Sequence, residues 1–299
     1  MILRQLILEL KNNLDDSSET ALLDAQLLVG FALGRDRLYL LTHPDEEISE
    51  EKTREIRMLS QKRRSGLPLQ HITGRQEFMG LDFNVGPQVL IPRPDTEILV
   101  EEAIGDLKNF ESPRILDIGT GSGAIAVSLA KYLPQSNVYA VDISKDALDT
   151  AKKNAVSNGV EKSIKFLLGS LFDPIEKMGE KFDAIVSNPP YIPRGDIETL
   201  QREVAAHEPR GALDGGTDGL DFYRIIAGQA PDFLKPEGRI YLEVGAGQAA
   251  EVENLLKQVK CRGKSCYNDI LRIKDLAGIE RVVKASLGPD KIEETLRTE

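Results

Sequence analysis

Apolar residues change their spacing three times along the chain. From residue 1 to about 70 they recur at helical intervals. Leu22, Ala25, Val29 and Ala32 form one stripe, preceded by Asp16 and Glu19 at the spacing of a capping pair and stopped by Gly34. A second, highly charged helix is predicted over 49–64, with Ile56 and Leu59 among its few apolar positions. The pattern predicts a small helical bundle. Between Gly74 and Ile91 the period shortens. Phe78, Leu81, Phe83, Val85, Val89 and Leu90 interleave with Gly80, Gly86 and Pro87, which predicts a β-hairpin connector. Pro94, Asp95 and Glu97 then suit the first turn of a helix that runs through Leu99, Val100 and Ile104.

After Pro113 short apolar runs alternate with amphipathic segments. Strands are predicted at 114–118, 138–141, 164–168, 182–186 and 239–244, and helices at 124–132, 144–158, 218–233 and 248–259. This alternation implies an α/β fold with a mainly parallel sheet covered by helices on both faces. No internal repeat or low-complexity tract interrupts it.

With 299 residues, 41% hydrophobic and 29% charged, the chain has the composition of a soluble globular protein large enough for one large domain or two of ordinary size. No apolar run is long enough to span a bilayer, and the first residues lack the apolar core of a signal peptide, so a cytoplasmic location is expected. A net charge of −10 argues against the basic footprint that backbone-dominated DNA binding requires. The local cluster Lys62-Arg63-Arg64 reads as the solvated C-terminal face of a charged helix. Cys261 and Cys266, with His43, His71 and His207, lack metal-ligand spacing; unligated thiols, ordinary imidazoles and no metal are expected.

Two segments carry candidate chemistry. The run Asp117-Ile118-Gly119-Thr120-Gly121-Ser122-Gly123 falls where a strand turns into a helix, and Asp142 ends the next strand. Glycines there allow a tight turn and close approach of a ligand, while the acid can accept hydrogen bonds from ribose hydroxyls. Gly119, Gly121 and Ala124 also satisfy a permissive dinucleotide fingerprint, so a nicotinamide cofactor competes on this motif alone. The leading Asp117 and the crowded glycines favour S-adenosylmethionine, whose methionine moiety carries an ammonium group. The second segment, Asn188-Pro189-Pro190-Tyr191, follows the fourth of these strands. Asn188 offers a side-chain carbonyl, the prolines supply acceptors without N–H groups, and Tyr191 supplies a flat ring. This is a clamp for a planar amino group, with adenine and glutamine both eligible.

The chain resembles the protein-(glutamine-N5) methyltransferases of the HemK/PrmC type, which modify peptide chain release factors. The resemblance spans almost the whole sequence: Gly74-Arg75-Gln76-Glu77-Phe78, Ile91-Pro92-Arg93-Pro94-Asp95-Thr96-Glu97, the glycine run, Asn188 to Tyr191, Glu208-Pro209, Gly215-Gly216-x-Asp218-Gly219-Leu220, and Asp275-Leu276-Ala277-Gly278-Ile279-Glu280-Arg281. It implies a Rossmann-like seven-stranded class I methyltransferase sheet with one antiparallel strand. Residues 1–73 would form a helical substrate-recognition domain, 74–91 a hairpin linker and 92–299 the methyltransferase domain. It further implies methyl transfer from S-adenosylmethionine to the glutamine amide of the Gly-Gly-Gln motif of release factors. Gly119, Thr120, Gly121, Ser122, Gly123, Asp142 and Asn188 would hold the cofactor, and Asn188, Pro189, Pro190 and Tyr191 the glutamine.

Within that clamp Asn188, Pro189 and Tyr191 carry the expected catalytic roles. The Asn188 and Pro189 carbonyls would accept the two amide N–H bonds, while Tyr191 packs on the amide plane. Membrane, metal and direct nucleic-acid partners are not expected. Arg93, Thr96 and Glu97 read equally as a site border or as a helix start, and Phe172 as a flank of the adenine or as core. Two neighbouring activities share the clamp: glutamine methylation of a ribosomal protein and N6-methylation of DNA adenine.

Overall fold

The computed structural model describes residues 1–288; residues 289–299 of the expected methyltransferase domain lie outside the described residues. The chain opens with helices α1 (Leu3–Leu14), α2 (Ala21–Leu33), α3 (Arg37–Thr42), α4 (Glu50–Arg64) and α5 (Leu69–Thr73). Strands β1 (Arg75–Phe78) and β2 (Leu81–Asn84) precede α6 (Pro94–Leu107), β3 (Arg114–Ile118), α7 (Ala124–Tyr132) and β4 (Asn137–Asp142). Next come α8 (Lys145–Ser157), β5 (Ile164–Leu168), α9 (Asp173–Glu176), β6 (Phe182–Ser187) and α10 (Arg202–His207). The last elements are α11 (Asp221–Gln229), β7 (Leu234–Glu243), α12 (Ala249–Gln258), the short β8 (Lys260–Cys261) and β9 (Lys264–Ser265), and the long β10 (Tyr267–Lys274) and β11 (Glu280–Leu287).

One compact unit comprises Met1–Arg75 together with Leu200–His207. Its core forms because Leu3, Leu6 and Leu10 share one face of α1 and meet Ala25, Val29 and Ala32 of α2 and Ile56 of α4. Two local expectations need correction. Asp16 and Glu19 lie in the turn before α2 and do not cap it; Thr20 occupies the cap position. The Ser18 and Thr20 hydroxyls instead donate to the buried Asp24 carboxylate at 2.8 and 3.0 Å. Arg63 is not part of a solvated face either. It is buried, with Nε 2.6 Å from Asp24 Oδ2 and Nη1 2.6 Å from Glu203 Oε1 in α10. Two carboxylates compensate the loss of water around the guanidinium.

The other unit runs from Gln76 to Thr199 and resumes at Glu208. Its seven strands lie in the order β10-β11-β7-β6-β3-β4-β5. β7, β6, β3, β4 and β5 are mutually parallel, and β11 runs antiparallel to both of its neighbours. Helices α6, α7 and α8 cover one face, and α11 and α12 the other. The β1–β2 hairpin closes through Met79 and Gly80, both at positive φ (53° and 70°), as a two-residue turn between twisted strands requires. Glu97 Oε1 accepts from the Met79 N–H at 2.6 Å and so anchors the turn to α6.

β7 starts earlier than the apolar pattern predicts, because Glu237 at φ 61° and Gly238 put an irregularity near its start that breaks the alternation. Gly219, at φ 77°, delays α11 to Asp221. Cys261 and Cys266 are bonded to each other, their Cα atoms 5.0 Å apart, because Arg262 and Gly263 at positive φ fold β8 back on β9. The expectation of two free thiols is therefore corrected.

Candidate active site

Strand order places both candidate segments together. From β3 the chain winds outward through β4 and β5, then returns to β6 and β7 on the opposite side. The carboxyl ends of β3 and β6, paired at Ile118 and Ser187, thus flank the point where the winding reverses. In open α/β sheets such a reversal opens a crevice for ligands. Ser187 Oγ donates to the Ile118 carbonyl at 2.7 Å and ties the two strand ends together.

The glycine loop leaves β3 with Gly119, Gly121 and Gly123 at φ 74°, 56° and 80°. These values are in the region that side-chain-bearing residues seldom occupy. A Cβ at Gly119 would meet no protein atom within 4 Å, and one at Gly121 would meet only the Gly119 carbonyl, at 4.0 Å. Gly123 differs: a Cβ there would lie 2.9 Å from the Ala151 Cβ, so its absence lets α7 pack on α8. Thr120 and Ser122 are buried, with the Thr120 hydroxyl donating to Asp117 Oδ2 at 2.6 Å.

Two carboxylates face this loop in different environments. Asp142 is half-buried; Oδ2 accepts from the Gly121 N–H and Oδ1 from the Ser144 N–H, both at 2.8 Å. Each oxygen keeps further acceptor capacity for a hydroxyl. Asp117 is fully buried, and Oδ1 has no hydrogen-bond partner among the described residues. Burial pushes its carboxyl up to about 7; the Thr120 hydrogen bond opposes this and the neighbouring Asp142 charge adds to it. An unsatisfied buried acid beside an accessible one and a bare glycine turn suits a ligand that brings an ammonium and a diol. S-adenosylmethionine has both.

At the end of β6, the Asn188 Nδ2 donates to Thr96 Oγ1 at 3.2 Å. Thr96 belongs to the first turn of α6, which Pro94 starts. Beyond it lies Glu243, the last residue of β7, 2% exposed and pushed up to about 7. Burial is the main cause; hydrogen bonding from Thr96 opposes it, Asp95 adds to it, and Arg281 and Asn188 oppose it. The Tyr191 hydroxyl is pushed up to about 12 by burial and by the nearby Glu243 charge.

The Tyr191 backbone is enclosed by the glycine-rich segment that follows it. A Cβ on Gly215 would lie 2.7 Å from the Tyr191 Cα, and one on Gly219 2.3 Å from its carbonyl oxygen. Gln248 Nε2 donates to that same carbonyl at 3.0 Å. Arg281 pairs with Asp95 and Asp275, both at 3.0 Å, and Arg93 pairs with the buried Glu208.

Comparison with known proteins finds matches over most of the chain. Residues 5–74 match the PrmC N-terminal domain, and residues 95–210 the methyltransferase small domain. The chain is 45% identical over 270 residues to the release factor glutamine methyltransferase of Geobacter sulfurreducens, covering 90% of this chain and 91% of the relative. It is 40% identical to the enzyme of the same name from Clostridium botulinum, over 95% of this chain and 99% of that one. The chain belongs to the release factor glutamine methyltransferase family. Among solved structures, the hMettl16 catalytic domain in complex with MAT2A 3'UTR hairpin 6 matches with a TM-score of 0.55 at 16% identity, over 81% of this chain and 84% of that one. That likeness concerns the fold alone.

Family membership makes S-adenosylmethionine the cofactor of this methyltransferase. Asp117, Asp142 and the turn at Gly119 and Gly121 are the residues here that fit it. Phe172, read from sequence as either an adenine flank or core, is core: it is fully buried and stacks on Phe233 at 4.5 Å. Of the residues left between site border and helix start, Thr96 touches Asn188, whereas Glu97 holds the hairpin turn. The sequence reading did not single out Glu243. The signal available was an acid inside the apolar run Ile240 to Val244, where a buried strand has no use for charge.

Proposed function

We propose that this methyltransferase acts on the side-chain amide nitrogen of the glutamine in the Gly-Gly-Gln motif of peptide chain release factors. The observation that carries the reading is the Asn188 hydrogen bond. Because Nδ2 donates to Thr96, Oδ1 is left as the acceptor that faces a substrate amide. The Pro189 carbonyl supplies a second acceptor from a backbone with no N–H at positions 189 and 190. Two such acceptors would fix both hydrogens of a primary amide and direct its nitrogen. Tyr191 covers the amide plane from a backbone held by Gly215, Gly219 and Gln248.

An amide nitrogen is a poor nucleophile because its lone pair is delocalised into the carbonyl. Bound S-adenosylmethionine supplies a sulfonium-activated methyl group. The clamp's contribution is alignment, together with acceptors that stabilise the positive charge growing on the N–H bonds. No base need act first, since the methylated nitrogen is far more acidic than the amide and releases its proton afterwards. Asp117 and Asp142 would hold the ammonium and the ribose hydroxyls, with Gly119 and Gly121 admitting the ligand to the main chain.

The helical segment 1–73 and the hairpin 74–91 would recognise the folded substrate away from its glutamine, leaving 92–299 to perform the chemistry. The reaction is assigned to the cytoplasm, without metal and without a nucleic-acid substrate. No described helix is long and apolar enough to cross a membrane. Parallel assays with labelled cofactor on a release factor, a ribosomal protein and duplex DNA test the substrate. Incorporation into the release factor is expected, and its loss when the Gly-Gly-Gln glutamine is replaced. Preferential labelling of the ribosomal protein or the DNA would overturn the reading.

A further inference from the structure

The family motifs account for Asn188 but not for what decides which way its amide points. An asparagine side chain is nearly symmetric in shape, and its two ends differ only in donating or accepting. Reversed by 180°, Asn188 would present an NH2 group to a substrate NH2, and the clamp would repel what it must hold. Packing alone discriminates poorly between the two orientations.

Thr96 does not settle the matter by itself. Its hydroxyl can accept from Asn188 Nδ2, as it does at 3.2 Å, or donate to Oδ1 with the amide reversed. Glu243 breaks this symmetry. It ends β7, the strand beside β6, and it is 2% exposed; Thr96 is 4% exposed. Thr96 and Asn188 are polar neighbours of its carboxyl, and Oε2 has no hydrogen bond to another described residue. Once ionised, which its burial delays to about pH 7, the carboxylate only accepts. It draws the Thr96 proton toward itself, leaving Thr96 able only to accept from Asn188. It also repels Oδ1 of a reversed amide.

We propose that Glu243 is a positioning residue that, with Thr96, fixes the orientation of the Asn188 amide and so keeps its carbonyl turned to the substrate. This rests on the assignment of Asn188 as the acceptor of the glutamine amide. Buried behind Thr96 and Asn188, Glu243 acts through them. Its isosteric replacement by glutamine, which both donates and accepts, removes the direction while keeping the volume.

The test compares Glu243→Gln, Thr96→Val, Thr96→Ser, the double variant Glu243→Gln/Thr96→Val and Asn188→Ala. Steady-state methylation of a release factor at about pH 8 or above, where the Glu243 carboxyl is ionised, and calorimetric binding of S-adenosylmethionine are the readouts. Glu243→Gln and Thr96→Val are each expected to lower kcat by about 10²-fold, the scale of a misplaced reacting group. Cofactor Kd and release-factor KM should change little, and Thr96→Ser should retain most of the activity. Because the residues form one chain, the double variant should be no slower than the worse single variant. Wild-type kcat in Glu243→Gln, or multiplicative losses in the double variant, would overturn the proposal. If Glu243→Gln proves unstable, the Thr96 pair still decides: equal kcat for the serine and valine variants contradicts the chain. Full turnover by Asn188→Ala would instead remove the clamp assignment beneath it.

Discussion

Asn188 is held within the protein at one end of its amide, where Nδ2 donates to Thr96 Oγ1, and in the proposed reaction its other end accepts from the substrate. Asn188→Ala should therefore lower kcat by about 10²- to 10³-fold, by analogy with deleting one hydrogen-bonding group that serves a transition state. Calorimetry should show S-adenosylmethionine affinity little changed, since Asp117, Asp142 and the glycine turn remain. Glu243 adds a stability signature. Burial raises its carboxyl from the ordinary 4.5 to about 7 in the folded protein. The folded state thus holds that proton more tightly than the unfolded chain, and the associated stability is lost as pH rises from about 4.5 through about 7. Thr96, Asn188, Asp95, Arg281, Tyr191 and Tyr223 are the polar and charged groups around it. Glu243→Gln cannot titrate. Its stability relative to wild type should grow between about pH 5 and pH 8, by up to about 3 kcal/mol. Denaturant unfolding across that range measures it, and a pH-independent difference would contradict the burial argument.

At the level of elements, the glycine-rich segment before α11 acts as a mould for the clamp. Gly219 stands at φ 77°, and a Cβ there would meet the Tyr191 carbonyl at 2.3 Å. Gly219→Ala should destabilise the protein by about 1–3 kcal/mol and lower kcat. Gly228→Ala, inside α11 with nothing within 4 Å of the added carbon, should instead stabilise by about 0.5–1 kcal/mol. Thermal unfolding of the two variants checks both signs. The same contrast explains what could be read from sequence. Helix α7 matches its predicted bounds because Gly123 precedes it and Pro134 follows, which turns Leu133 away from helical geometry. β10 carries no such signal. As an edge strand it leaves most of its residues exposed or half-buried, so little apolar alternation betrays it. The glycine loop and the clamp were legible because local backbone chemistry defines them. Thr96 and Glu243 were not, since their meeting with Asn188 spans separations of 92 and 55 residues that only the sheet order brings together.

Across the whole molecule, the chain leaves the sheet unit after Thr199, contributes 200–207 to the helical unit, and returns at Glu208. Arg63 secures that excursion by pairing with Asp24 and Glu203 within the helical unit. Arg63→Ala strips a buried carboxylate of its partner and should cost the helical unit about 3–5 kcal/mol, read by chemical denaturation; a loss below about 1 kcal/mol would contradict it. The central claim, that the end of β6 holds a glutamine amide for methylation, meets its most direct test in tandem mass spectrometry of a release factor incubated with the enzyme and labelled S-adenosylmethionine. One labelled methyl on the side-chain nitrogen of the Gly-Gly-Gln glutamine, absent with Asn188→Ala, is the predicted result. A methyl on any other residue, or an unmodified release factor beside an active enzyme, would contradict it.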